Sequence, residues 1–101
     1  MSDPTNDSFE FGNFKVDAVE RVLLHSGRPV PLTQKVFDLL LLLASKPGRV
    51  FLRNEILQRV WGTDVIVGDR TIDVHIRKIR QKIGIDLVTT VKGVGYKFEM
   101  A

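Results

Sequence analysis

The spacing of apolar residues changes twice along this chain. Phe9, Phe11, Phe14 and Val16 fall mostly at alternate positions, and Arg21 to His25 forms a second apolar run. Ser26-Gly27 marks a turn, and Arg28 to Leu32 carries Pro29 and Pro31. Proline has no N–H to give a ladder, so that segment belongs at a sheet edge. The pattern predicts a small antiparallel sheet of three or four strands.

From Thr33 the spacing becomes helical. Thr33 is an N-cap for a helix from Gln34 to about Ser45, whose interior VFDLLLLLA is apolar nearly all round and hence central to the core. Lys46-Pro47-Gly48 ends it, and Arg49-Val50-Phe51 reads as a short extended link. A second helix is expected from about Arg53 to Trp61, with Ile56, Leu57, Val60 and Trp61 inward and Gly62 as its stop. The loop Gly62 to Gly68 leads to a third helix, Asp69 to Ile83. After Gly84, Leu87 to Val91 and Tyr96 to Phe98 return to β-like spacing around a hairpin tip, Lys92-Gly93-Val94-Gly95. Met1 to Ser8 is polar and reads as a disordered lead, leaving residues 9–101 as one α+β domain.

The third helix has two dissimilar faces. Ile72, Ile76, Ile79 and Ile83 fall at i, i+4, i+7 and i+11, a single core-facing stripe. Arg70, Val74, Arg77, Lys78 and Gln81 lie opposite. Asp69 can cap the start and Gly84 can end the helix with positive φ. Arg70, Arg77, Lys78, Arg80 and Lys82 stand against Asp69 and Asp73, a surplus of three charges that equals the net charge of the whole chain. Most charged helix faces only meet water. Here Val74 interrupts the basic face, as solvation does not require, and a side chain of this kind can touch a thymine methyl. Among the arginines and Lys78, only Arg77 has an acid at i±4, namely Asp73.

The two last helices with the loop between them make a helix-turn-helix with an enlarged turn, and the hairpin can act as a wing. A helix of this diameter fits the major groove, with the hairpin along the backbone or in the adjacent minor groove. Composition agrees. The pI near 9.5 and net charge of +3 admit a polyanionic partner. The absence of cysteine excludes disulfides and cysteine metal sites and fits a cytoplasmic chain. No apolar run is long enough to span a membrane, and the N-terminus lacks signal-peptide regions. No nucleophile triad, metal spacing or P-loop is present, so neither catalysis nor a cofactor is expected. Gly93 and Gly95 lack the following helix that a phosphate-binding glycine loop needs.

Five segments in order and spacing resemble the C-terminal DNA-binding domain of OmpR/PhoB-type response regulators, a winged helix-turn-helix. They are Leu32, Thr33, Phe37, Leu39 and Leu40; Pro47 to Phe51 with Arg53; Val60 to Gly62; Asp69 to Ile83; and Thr90 to Phe98. The resemblance covers about Phe9 to Phe98. It implies a four-stranded N-terminal sheet, three helices and a C-terminal hairpin, with the third helix in the major groove. By position, Arg70, Thr71, Val74, Arg77 and Lys78 are implied to meet bases. Trp61, His75, Arg80, Thr90, Gly93 and Tyr96 are implied at the DNA backbone, and Lys92 at the minor groove. The loop residues Thr63, Asp64, Val65, Ile66 and Val67 match a segment that faces RNA polymerase in activators. The resemblance also implies two domains on direct repeats and a phosphoacceptor receiver domain, which this chain does not contain.

Several residues depart from the family pattern. Val36 stands where a capping-box glutamate is frequent, and Leu52 where serine usually caps the second helix. Lys78 and Lys92 stand where arginine is frequent; lysine lacks the rigid fork that reads guanine, so the family's operators do not transfer. Two other classes fit the composition. A winged-helix module docking an acidic protein would show no preference among DNA sequences. Binding to an anionic membrane would need the apolar face that the core requires.

Overall fold

The computed structural model describes residues 8–62 and 69–99. Four short strands, β1 (Ser8–Phe11), β2 (Phe14–Asp17), β3 (Val22–His25) and β4 (Arg28–Val30), form an antiparallel sheet in that order. β1 starts at Ser8, the last residue of the expected lead. Pro29 lies opposite Leu24 on β4, an edge strand, where a missing N–H costs no ladder bond. Phe9, Val16, Leu23 and Val30 share one row across the sheet, and Val16 and Leu23 are fully enclosed.

Helix α1 (Gln34–Ser45) opens at Thr33, whose hydroxyl accepts the Val36 N–H at 3.4 Å. The cap therefore works without a glutamate at position 36. Val36, Phe37, Leu39, Leu40, Leu43 and Ala44 are buried, which makes α1 the centre of the domain.

Arg49-Val50-Phe51, expected as a link, lies mostly in a strand, β5 (Val50–Leu52), antiparallel to the last strand of the chain. A second sheet results, in the order β5-β7-β6, from β6 (Val88–Val91) and β7 (Gly95–Phe98). Gly95 lies opposite Leu52 in this ladder, and a Cβ there would sit 1.9 Å from the Phe51 carbonyl oxygen. So Gly95 belongs to the strand and permits a close approach, and the hairpin tip is Lys92 to Val94 alone. Phe11 and Phe98 meet edge to face at 4.8 Å, joining the two sheets in one core.

Helix α2 (Arg53–Ile56) starts at Leu52 with no side-chain cap and continues as a π-helical turn, Leu57–Trp61. The Gly62 N–H donates to both Leu57 and Gln58, and its φ of 86° stops the helix. Lys35 of α1 donates to the Val60 carbonyl at 2.8 Å, a cation on the open end of that helix. Helix α3 spans Asp69–Ile83, the bounds expected from sequence. Its isoleucine stripe is buried throughout, and Gly84 follows at φ 104°. The five residues implied to face RNA polymerase, Thr63 to Val67, lie outside the described residues, as do residues 1–7.

Candidate nucleic-acid interface

Burial of Ile72, Ile76, Ile79 and Ile83 fixes how α3 is rotated, and the opposite face must point outward. Arg70, Arg77 and Lys78 are exposed, as is Val74 at 45%. Among the described residues none of these cations, nor Lys92, forms a salt bridge. Among the described residues this face therefore carries cations without a salt-bridge partner. Beside it, the hairpin exposes Thr90, Lys92, Gly93 and Val94. A cleft of about 530 Å³ separates helix and hairpin, walled by Arg77, Arg80, Thr90 and Tyr96 among others.

The two shoulders of α3 are tied down differently. On the α2 side, Thr71 and His75 are half-buried. The Thr71 carbonyl has only lone pairs, so the Nδ1 of His75, 2.7 Å away, must donate to it. The imidazole is turned edge to face against Trp61, with 4.9 Å between ring centroids. Trp61 is itself half-buried at the end of the π-helical turn.

On the wing side, Asp73 departs from the expected pairing with Arg77. Its carboxylate instead accepts from Arg53 at 2.9 Å and from the Tyr96 hydroxyl. Arg53 lies 5.6 Å above the Tyr96 ring and also donates to the phenol oxygen at 3.4 Å. These contacts shift all three groups. The Tyr96 hydrogen bond, and then Arg53, hold the Asp73 carboxyl below the usual carboxylate range. Burial and the bond to Asp73 push the Tyr96 phenol up, and Asp73 pushes Arg53 up. Arg53 and Asp73 are 20 residues apart and Tyr96 is 23 further on. Local periodicity holds no signal for such a group. The sequence shows only that all three residues fall inside segments that resemble the family.

Tyr96 and Arg80, also implied at the DNA backbone, make polar contacts within the domain. Tyr96 is 4% exposed, and its hydroxyl donates to Asp73 within the domain. Arg80 donates through Nε and Nη2 to the Val88 carbonyl, at 3.2 and 2.7 Å, and through Nη2 to the Thr90 hydroxyl at 3.0 Å. Arg70, Thr71, Val74, His75, Arg77, Lys78 and Trp61 line the outer face and one shoulder of α3, and Thr90, Lys92 and Gly93 lie on the hairpin. Among the described residues no cluster of metal-ligating side chains occurs, and no helix is long and apolar enough to cross a membrane.

The family described as "Transcriptional regulatory protein, C terminal" matches residues 27–98. The transcriptional regulatory protein VxrB of Vibrio cholerae is 42% identical over 87 residues, covering 86% of this chain and 36% of VxrB. The chain thus spans about a third of that relative's length. Among solved structures, the response regulator DrrB, a Thermotoga maritima OmpR/PhoB homologue, superposes with a TM-score of 0.82 at 31% identity, over 92% of this chain and 44% of DrrB. The DNA-binding domain of Klebsiella pneumoniae RstA, solved in complex with the RstA box, gives 0.78 at 30% identity, over 91% of this chain and 96% of that one. By segment order, fold and these matches, the chain belongs to the family of C-terminal winged helix-turn-helix domains of OmpR/PhoB-type transcriptional regulatory proteins.

Proposed function

We propose that this domain binds double-stranded DNA sequence-specifically, as the output domain of a two-component transcription regulator in the cytoplasm. The observation that carries this is the outer face of α3. Arg70, Arg77 and Lys78 are exposed without a salt bridge among the described residues, and Val74 sits among them. An α-helix fits the major groove, where Arg70, Thr71, Arg77 and Lys78 can reach base edges and Val74 a thymine methyl. Trp61, His75, Thr90 and Gly93 then flank the groove at backbone height, and Lys92 reaches the minor groove. That the related RstA domain was solved in complex with the RstA box supports DNA binding by this fold.

Phosphate contacts supply most of the affinity in such a mode. With about five phosphates neutralised, log K falls against log salt with a slope of about −4 to −5. Two domains on direct repeats, a receiver domain elsewhere in the full protein and polymerase contact through residues 63–67 complete the proposal. Amide-shift mapping on titration with a cognate duplex tests the face used. Shifts concentrated at residues 70–78 and 90–94 are expected. Shifts centred on the β1–β4 sheet would overturn the placement.

A further inference from the structure

Thr90 and Tyr96 are direct cross-strand partners at the base of the hairpin, and each is held by a different residue of α3. Asp73 accepts from Tyr96, and Arg80 donates to Thr90 and to the Val88 carbonyl on the same strand. Asp73 and Arg80 are seven residues apart, so they project from one face of the helix, about 10 Å apart along its axis. One tie would leave the hairpin free to pivot. Two ties on one rung of the ladder fix both its distance from the helix and its angle. The next rung is Val91 with Gly95, and beyond it lie only Lys92, Gly93 and Val94.

We infer that Asp73, Arg80 and Tyr96 form a two-point clamp that sets where the wing tip stands relative to α3, so that the tip's share of DNA affinity passes through the Tyr96 hydroxyl. Arg53 braces the clamp from α2 by neutralising Asp73, an acid that would otherwise repel phosphate from the DNA-facing helix. These are positioning residues. They act through Lys92 and its neighbours, and the inference rests on the DNA-binding function proposed above. Chemistry explains the choice of groups. A short carboxylate on a rigid helix and a phenol on a strand have few rotamers, and arginine's planar fork holds two acceptors at once.

The test is a cycle of Tyr96→Phe and Lys92→Ala on the whole chain, with affinity measured on a duplex selected by the wild type. Tyr96→Phe keeps the ring in the core and removes only the hydroxyl. It should weaken binding about fivefold in the wild-type background and less than about twofold when Lys92 is already alanine. Equal losses in both backgrounds, or none in either, would overturn the clamp. Asp73→Asn keeps an acceptor for Tyr96 and should preserve the dependence on Lys92; Asp73→Ala should abolish it. If the charge of Asp73 were all that mattered, both variants would bind alike, which would also overturn it. Amide exchange in the free protein separates this inference from the DNA-binding proposal. Tyr96→Phe should speed exchange at residues 91–94 and leave Leu39 to Leu43 unchanged, whether or not a selected duplex exists. Unchanged exchange at residues 91–94 would sink the clamp even if DNA binding holds.

Discussion

Trp61 and His75 meet edge to face, with ring planes at 87° and centroids 4.9 Å apart. Since His75 donates through Nδ1 to Thr71, the contact fixes the end of α2 against the first two turns of α3. A pair of this geometry contributes about 0.5–1.5 kcal/mol beyond the area it buries. Combining Trp61→Leu with His75→Ala in a urea-denaturation cycle should return a coupling in that range. Simple additivity would mean that the two rings only share a neighbourhood.

Gly95 and Gly93 should respond very differently to alanine. At Gly95 a Cβ would collide with the Phe51 carbonyl carbon and oxygen, both backbone atoms that move only if β5 leaves β7. Gly95→Ala should cost about 3 kcal/mol or more, as overpacking of a fixed site does. At Gly93 the space is open and only the positive φ of 76° resists, so Gly93→Ala should cost about 1 kcal/mol. Urea midpoints at unchanged slope decide between them, and similar costs at both sites would contradict the packing described for β5.

The cations of α3 and the wing should separate into two kinds of loss. Arg77→Ala should relax preference at one base position by about 1–3 kcal/mol. Lys92→Ala should weaken binding, lower the salt slope by about 1 and change the preference for A·T pairs beside the main site. Affinity measured on a set of single-base variants at several salt concentrations reports both effects. An unchanged salt slope and unchanged A·T preference for Lys92→Ala would remove the wing from the interface.

Acid should reveal the bond between Tyr96 and Asp73. A carboxyl whose folded pKa lies below its unfolded value, near 3.8, stabilises the fold above that value. The contribution disappears as pH falls through the lower, folded pKa. Tyr96→Phe removes the largest cause of the depression. The difference in Tm between wild type and Tyr96→Phe should therefore be full near pH 6 and shrink below about pH 4. A difference that stays constant down to pH 2.5 would show that the hydroxyl acts on something other than the ionised carboxylate.

Residue spacing alone makes much of the fold and of the candidate interface legible. The stripe Ile72, Ile76, Ile79 and Ile83, with Gly84 after it, defines the rotation and the C-terminal end of α3, because period and helix stops are local properties. Thr33, Pro29 and Gly62 mark boundaries for the same reason. What spacing does not carry is tertiary. Val50–Leu52 is too short to announce itself as a strand, and its partner β7 lies more than 40 residues away. The π-helical turn before Gly62 has no composition of its own. Asp73 has an arginine at i+4 yet turns to Arg53 and Tyr96, since a buried phenol needs an acceptor more than an exposed arginine needs a partner. That choice turns the hydroxyl of Tyr96, implied at the DNA backbone, to Asp73.

Selection of binding sites from a random duplex pool, followed by a salt titration on the enriched sequence, tests the proposed function most directly. Enrichment of a short motif, repeated in one direction and bound with a log–log salt slope of about −4 to −5, is expected. Salt-sensitive binding without enrichment would contradict sequence-specific recognition, and would leave the basic face of α3 as a surface for some other acidic partner.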